Sequence, residues 1–165
     1  MNEMIDIFDP TFVTCVCSDR LFGIEDMFPA HVVIRGDRKQ WNAVVDNTNG
    51  LQIMFVPLDH HIDIHPSTDT TYSLCDCMIY REGHWLTLIE LKDQARGWLE
   101  DAIRQLKSTI RWMKDNPRVS QFSIREAYAA NRRHPHFQSS EKSRMNEFRK
   151  ETSFRLIITN MIKVK

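Results

Sequence analysis

Short apolar runs separated by turn residues fill the first half of the chain, and a long helical stripe opens the second. Residues 31–35 (HVVIR) and 41–45 (WNAVV) predict strands joined through Gly36-Asp37, and Asn47-Thr48-Asn49-Gly50 reads as a hairpin turn into a third strand at 51–57. These three predict an N-terminal β-meander; the first twenty-odd residues carry no clear period. Residues 74–80 (LCDCMIY) and 85–91 (WLTLIEL) predict two further strands around Arg81-Glu82-Gly83-His84. The second is apolar on both faces except at its end, the pattern of a strand covered on both sides. A polar group at that end needs a partner.

From Asp93 as N-cap, apolar residues recur at Ala95, Trp98, Leu99, Ala102, Ile103, Leu106, Ile110 and Met113, a helical stripe that Asn116-Pro117 ends. A strand at 121–130, a short basic helix at 139–150 and a strand at 154–162 follow. The order β-β-β-β-β-α-β-α-β predicts an α/β (α+β) fold: a mixed sheet with the N-terminal meander, one long right-handed crossover helix, and a C-terminal helix and strand.

Composition narrows the setting. The chain has 165 residues, 42% hydrophobic and 27% charged, which fits one globular domain over 1–165 and excludes global disorder. The acidic start MNEMIDIFDP lacks the basic and apolar regions of a secretory signal, and the longest apolar run, 51–58, is too short to span a bilayer. A cytoplasmic protein without a membrane partner is expected, with Cys15, Cys17, Cys75 and Cys77 reduced or metal-bound rather than disulfide-linked.

Net charge is zero but unevenly spread: residues 1–103 hold 7 Lys/Arg against 17 Asp/Glu, and residues 104–165 hold 15 against 5. A basic segment of this kind suits a phosphate backbone. The alternative is that the two halves neutralise one another within the fold.

Candidate chemistry concentrates in CDCMIYREGHWLTLIELK, residues 75–92. Glu90 and Lys92 lie two apart on one strand and leave the same face. If Tyr80 pairs with His84 around a three-residue loop with Gly83 left-handed, Asp76 comes opposite Leu88 and diagonally beside Glu90; a two- or four-residue loop turns it away. Two carboxylates and an ammonium in an apolar sheet need partners or a metal. Mg²⁺, or Mn²⁺, takes hard oxygen ligands, here Asp76, Glu90 and the Leu91 carbonyl, and a bound water beside Lys92 could attack a phosphodiester.

Asp76, then Glu90-Leu91-Lys92 at the end of the next strand, then an amphipathic helix, resembles the PD-(D/E)xK nuclease superfamily of restriction-endonuclease-like fold over roughly residues 74–130. The resemblance implies metal-dependent hydrolysis of nucleic acid, DNA being the expected substrate. By the same resemblance Asp76 and Glu90 hold the metal, Lys92 positions or activates water, and Gln105 is the extra helix glutamine near the metal. Cys75 stands where the superfamily often has Pro, and Glu25 is the best match for the additional acid of a preceding helix. Cutting both strands with so small a domain calls for a homodimer.

Other readings compete. The same fold could be catalytically silent and serve binding or assembly. The two C-x-C pairs could form a four-thiolate zinc site, although cysteines among apolar strand residues more commonly pack as small hydrophobes. His61, Asp63 and His65 share a face of any extended segment, against the simpler reading in which Ile62 and Ile64 turn inward. Arg132, Arg133, Lys142, Arg144 and Arg149 form a discontinuous basic series suited to phosphates, with Phe137 and Phe148 as stacking residues or, for Phe148 with Met145, a buried helix face. No Gly-rich phosphate loop and no G-x-S-x-G setting is present.

Overall fold

In the computed structural model, which describes residues 5–64, 72–134 and 141–165, two cores form on opposite faces of one long central strand. The described residues form strands β1 (Cys15–Cys17), β2 (Leu21–Glu25), β3 (His31–Val33), β4 (Ala43–Asp46), β5 (Ile53–Pro57), β6 (Cys77–Arg81) and β7 (Trp85–Lys92). Helix α1 (Trp98–Met113), β8 (Ile124–Asn131), α2 (Lys142–Thr152), β9 (Arg155–Ile158) and β10 (Met161–Lys163) follow. The strands make two mixed sheets, one ordered β1-β5-β6-β7-β8-β9 and the other β10-β4-β2-β3. Strand β7 runs antiparallel to β6 and parallel to β8, so α1 is the crossover between parallel neighbours.

The two-sided apolar pattern of β7 has a direct cause. Leu86 and Leu88 face the helices and share a core with Leu99, Ala102, Leu106 and Ile110 of α1. Trp85, Ile89 and Leu91 face the second sheet and meet Phe22, Ile24, Val45 and Ile162. The layers are therefore helix, six-stranded sheet, four-stranded sheet, with β7 covered on both sides.

Three expectations change. The N-terminal strands are not one meander: β3 and β4 both pair with β2 in the second sheet, whereas β5 pairs with β1 and β6 in the first. The turn between β4 and β5 carries the chain from one sheet to the other. Asn47 holds it, its side chain donating to the carbonyls of Asp19 and Leu51 and accepting from the Leu51 N–H. The single strand expected at 154–162 divides into β9 and β10 for the same reason, each half joining a different sheet.

Helix α1 begins at Trp98, not after Asp93. Gly97 sits in the left-handed region at φ 68° and breaks the helix, and the preceding residues are held elsewhere. The Asp93 carboxylate is taken by Arg132 and Arg133, and Gln94 exchanges two hydrogen bonds with the Asn131 side chain. Glu100 and Asp101 then occupy the first helical turn, where the helix dipole favours acids.

Candidate active site

The hairpin between β6 and β7 keeps a three-residue loop, with Gly83 at φ 73° and the His84 N–H donating to the Arg81 carbonyl at 3.0 Å. Its pairing lies one residue further along each strand than expected, Arg81 opposite Trp85 and Cys77 opposite Ile89. The ladder ends at Cys77, and Asp76, in the bend just before β6, meets β7 through its side chain, at the Leu91 N–H.

Asp76 is fixed from three directions. Its Oδ2 accepts the Leu91 N–H at 2.7 Å, and its carbonyl accepts the Leu58 N–H, just past β5, at 2.9 Å. The Cys75 N–H before it donates to Thr109 Oγ1 on α1 at 2.7 Å. An extended strand sends the N–H and C=O of one residue to the same side, so the Leu91 carbonyl also faces the Asp76 edge.

Glu90 is 5% exposed, and its two oxygens have different fates. Oε1 lies 3.2 Å from Lys92 Nζ, whereas Oε2 is buried with no hydrogen-bond partner. Lys92 is held on its other side by Asp101 of α1, which also pairs with Arg104. A chain of paired side chains thus runs from Glu90 through Lys92 and Asp101 to Arg104.

Burial pushes the Glu90 carboxyl up to about 9, reinforced by the Asp76 charge and only partly offset by Lys92. Burial likewise pushes Asp76 up to about 7; the Leu91 N–H pulls it down, while Asp26 and Asp59 push it further up. On Lys92 burial works to lower the value, but the Asp101 hydrogen bond and the Glu90 charge outweigh it, and the ammonium is held above its ordinary value. Lys92 therefore keeps its charge with Asp101 as the ionised partner, and Glu90 holds a proton unless a cation replaces it.

Asp26, Asp59 and Asp101 are site residues that sequence reasoning missed. Glu25, the expected additional acid, turns instead to His31 on the neighbouring strand at 3.5 Å, and the next residue, Asp26, is the one whose charge reaches Asp76. Asp26 and Asp59 stand in loops without a period and carried no signal. Asp101 was legible, since it lies three residues after Trp98 in the helix that follows Lys92. Gln105 lies one turn beyond Asp101 and accepts from the Ser73 hydroxyl, in the segment leading to Asp76.

The basic series divides between two ends of the first sheet. Arg132 and Arg133 follow β8 at the edge where Lys92 pairs with Asn131, and both hold Asp93, at 2.6 and 3.0 Å. Arg144 is paired with Glu100 and Glu141, each at 3.2 Å, and Lys142 is exposed at the start of α2. Arg149 lines a cleft of about 330 Å³ with Arg125, Arg155 and Lys165 at the start of β8 and β9. An eight-residue strand separates that end from Lys92, roughly 26 Å. Phe148 is buried at 1% exposure with Met145 packed on the same core, the packing alternative, and Phe137 lies outside the described residues.

The remaining candidates disperse. All four cysteines are free. Cys75 and Cys77 pack into different cores because the chain is not yet a regular strand at Cys75. Cys17 Sγ meets Asp19 Oδ2 at 3.3 Å, and burial pushes the Cys17 thiol up to about 11. His61 Nε2 lies 3.0 Å from the Phe12 carbonyl while Ile62 is buried, and His65 lies outside the described residues. Among the described residues no three His, Cys, Asp or Glu side chains are grouped to hold a metal ion, and no helix is long and apolar enough to cross a membrane.

Searches against protein-family models, curated proteins and solved structures find no match.

Proposed function

We propose that the chain is a metal-dependent nuclease of the PD-(D/E)xK type. The observation that carries this reading is the buried, unpartnered Oε2 of Glu90, on a carboxyl that feels the Asp76 charge while Lys92 occupies its other oxygen. A buried carboxylate oxygen in that position requires a proton or a cation. The antiparallel β5-β6-β7 run followed by α1 and the parallel β8 supports the restriction-endonuclease-like arrangement.

The donors fit a hard cation. Asp76, Glu90 and the Leu91 carbonyl are all oxygen ligands, and Mg²⁺ characteristically uses one or two carboxylates and keeps waters and substrate phosphate in its other positions. Mn²⁺ accepts the same set. When bound, the cation would supply Lewis-acid stabilisation of charge on the phosphoryl oxygens.

The chain's own residues do the rest. Lys92, held charged, orients the attacking water and offsets negative charge instead of accepting the proton. Asp101 fixes the direction of the ammonium. Arg132 and Arg133, on the same edge, receive the nucleic-acid backbone by exchanging Asp93 for phosphate, with Lys142 and Arg144 further along; Arg149 serves a different stretch of backbone. Cleaving both strands of DNA would bring two copies together.

Incubation of plasmid, linear and single-stranded DNA and of RNA with Mg²⁺ or Mn²⁺ tests the reading. Wild type should cleave at least one substrate, and Glu90→Ala and Lys92→Ala should not. Equal activity in all three proteins, or none in any, removes it.

A second reading, a silent member of the fold acting in binding or assembly, is favoured by one observation: Lys92, Arg132 and Arg133 already have acidic partners within the chain. A silent subunit would show no Mg²⁺ or Mn²⁺ stabilisation dependent on Asp76 and Glu90.

A further inference from the structure

At the end of the first sheet away from Lys92, where β8 and β9 begin and α2 ends, lies a cleft of about 330 Å³. Three arginines line it: Arg125 on β8, Arg149 in the last turn of α2 and Arg155 on β9. None of the three side chains has a partner among the described residues, in contrast to Arg132 and Arg144, which are held by acids. Glu126, the one acid in the lining, is already occupied. It is 1% exposed, its Oε1 accepts the Trp85 indole N–H at 2.6 Å, and its Oε2 lies 3.1 Å from Lys165 Nζ. Arg155 stands directly beside Glu126 on the neighbouring strand yet makes no ion pair with it.

Like charges gathered at one cleft repel one another unless an anion joins them. The helix dipole accounts for Arg149, at the negative end of α2, but not for Arg125 or Arg155, which lie on strands. Ser123 and Ser153 add hydroxyls to the lining, both exposed and neither engaged among the described residues. Ser153 closes α2 at φ 65°, a left-handed position that usually falls to Gly, so a hydroxyl-bearing side chain stands where the backbone favours none. A guanidinium donates and cannot accept, and its planar fork pairs with phosphate oxygens two at a time. Ile124 is the one apolar residue in the described lining, which holds no aromatic ring on which a base could stack. The cleft therefore matches a tetrahedral oxyanion and offers nothing to a nucleobase.

We infer that this cleft binds a phosphate group, held by Arg125, Arg149 and Arg155, without regard to any base attached to it. The group arrives either as a small phosphate or phosphomonoester or as one diester of a nucleic-acid backbone, and the recognising chemistry is the same for both. The inference goes beyond the nuclease reading and does not depend on it: the length of β8, roughly 26 Å, separates the cleft from Lys92, and a chain that cleaves nothing would keep it.

The test is a ¹H–¹⁵N NMR titration of the full chain with inorganic phosphate, adenosine and cytidine 5′-monophosphates and an oligodeoxynucleotide without terminal phosphates, at constant ionic strength with chloride as reference. EDTA keeps divalent cations, and with them the proposed metal site, out of the measurement. Saturable shifts should appear at the amides of residues 123–126 and 149–155, and the two nucleotides should bind equally. Arg125→Gln and Arg155→Gln should each weaken binding about tenfold, the loss expected for one charged hydrogen-bonding partner. Arg38→Gln, exposed in the turn before β4, should leave it unchanged. Both cleft variants should fold at least as well as wild type, because the guanidinium groups removed make no bond within the chain. Shifts with the monoesters identify a small phosphate as the ligand and shifts with the oligonucleotide alone identify the backbone; either supports the inference. The same shifts in chloride, none at the cleft with any phosphate, or undiminished binding in both arginine variants overturns it.

Discussion

The Asp76 carboxylate accepts the Leu91 N–H at 2.7 Å, and this one hydrogen bond brings an acid from the start of β6 to the end of β7 beside Glu90. Burial then pushes both carboxyls up, Asp76 to about 7 with help from Asp26 and Asp59, and Glu90 to about 9 with help from the Asp76 charge. Both values lie above those of an unfolded chain, about 4 for either residue. Without metal the folded state therefore binds more protons than the unfolded state between about pH 4 and pH 9, and these groups make stability fall as pH rises through that window. Each carboxyl contributes up to about 1.4 kcal/mol per pH unit at full effect. Glu90→Gln removes its share, so urea unfolding at about pH 6 and about pH 8.5 should show the variant gaining on wild type at the higher pH. A gap independent of pH would contradict the assigned burial of Glu90.

Asp101 is predicted to matter for rate and not for metal affinity. It touches Lys92 and Arg104 but no proposed metal donor. Asp101→Asn should lower the cleavage rate by about ten- to a hundredfold by loosening Lys92, in the range seen when outer-shell partners are removed. Mn²⁺ affinity should stay near wild type. Loss of metal binding would place Asp101 among the ligands instead.

Two predictions concern the scaffold. Gly23 on β2 lies against the Trp41 ring, where an added Cβ would overlap the indole. Gly23→Ala should cost about 3 kcal/mol in denaturant unfolding, because neither the strand nor the buried ring has room to move.

Thr87, at the middle of β7, is fully buried between the two sheets, and its hydroxyl has no partner. Thr87→Val should therefore stabilise the fold by about 1 kcal/mol, since a buried unpaired hydroxyl is replaced by a methyl group of similar shape. A destabilised variant would show that the hydroxyl is satisfied in solution.

The parts of this molecule legible in the sequence are those written in local pattern. Strand β7 announced its two covered faces, α1 its stripe from Trp98 to Met113, and the hairpin its three-residue loop through Gly83. What local pattern does not encode is which sheet a strand joins. The turn at Asn47 has hairpin composition but spans two sheets, and the strand expected at 154–162 changes sheet at Thr159-Asn160, because partners far along the chain decide both. Asp26 and Asp59 were invisible for the same reason, being isolated acids in loops brought to Asp76 by the packing of the second sheet and the end of β5. Helix α1 lost its expected N-cap because Asp93 found two arginines 39 and 40 residues later.

The central claim, that Asp76 and Glu90 together form a divalent-cation site, is tested most directly by calorimetric titration of Mn²⁺ into wild type, Asp76→Asn and Glu90→Gln near pH 8, repeated in buffers of different ionisation enthalpy. Wild type should bind one ion and release protons as it does so, because a carboxyl that is protonated in the empty site must ionise to ligate metal. Both variants should lose the binding. Undiminished Mn²⁺ binding in Glu90→Gln, or none in wild type, would contradict the account.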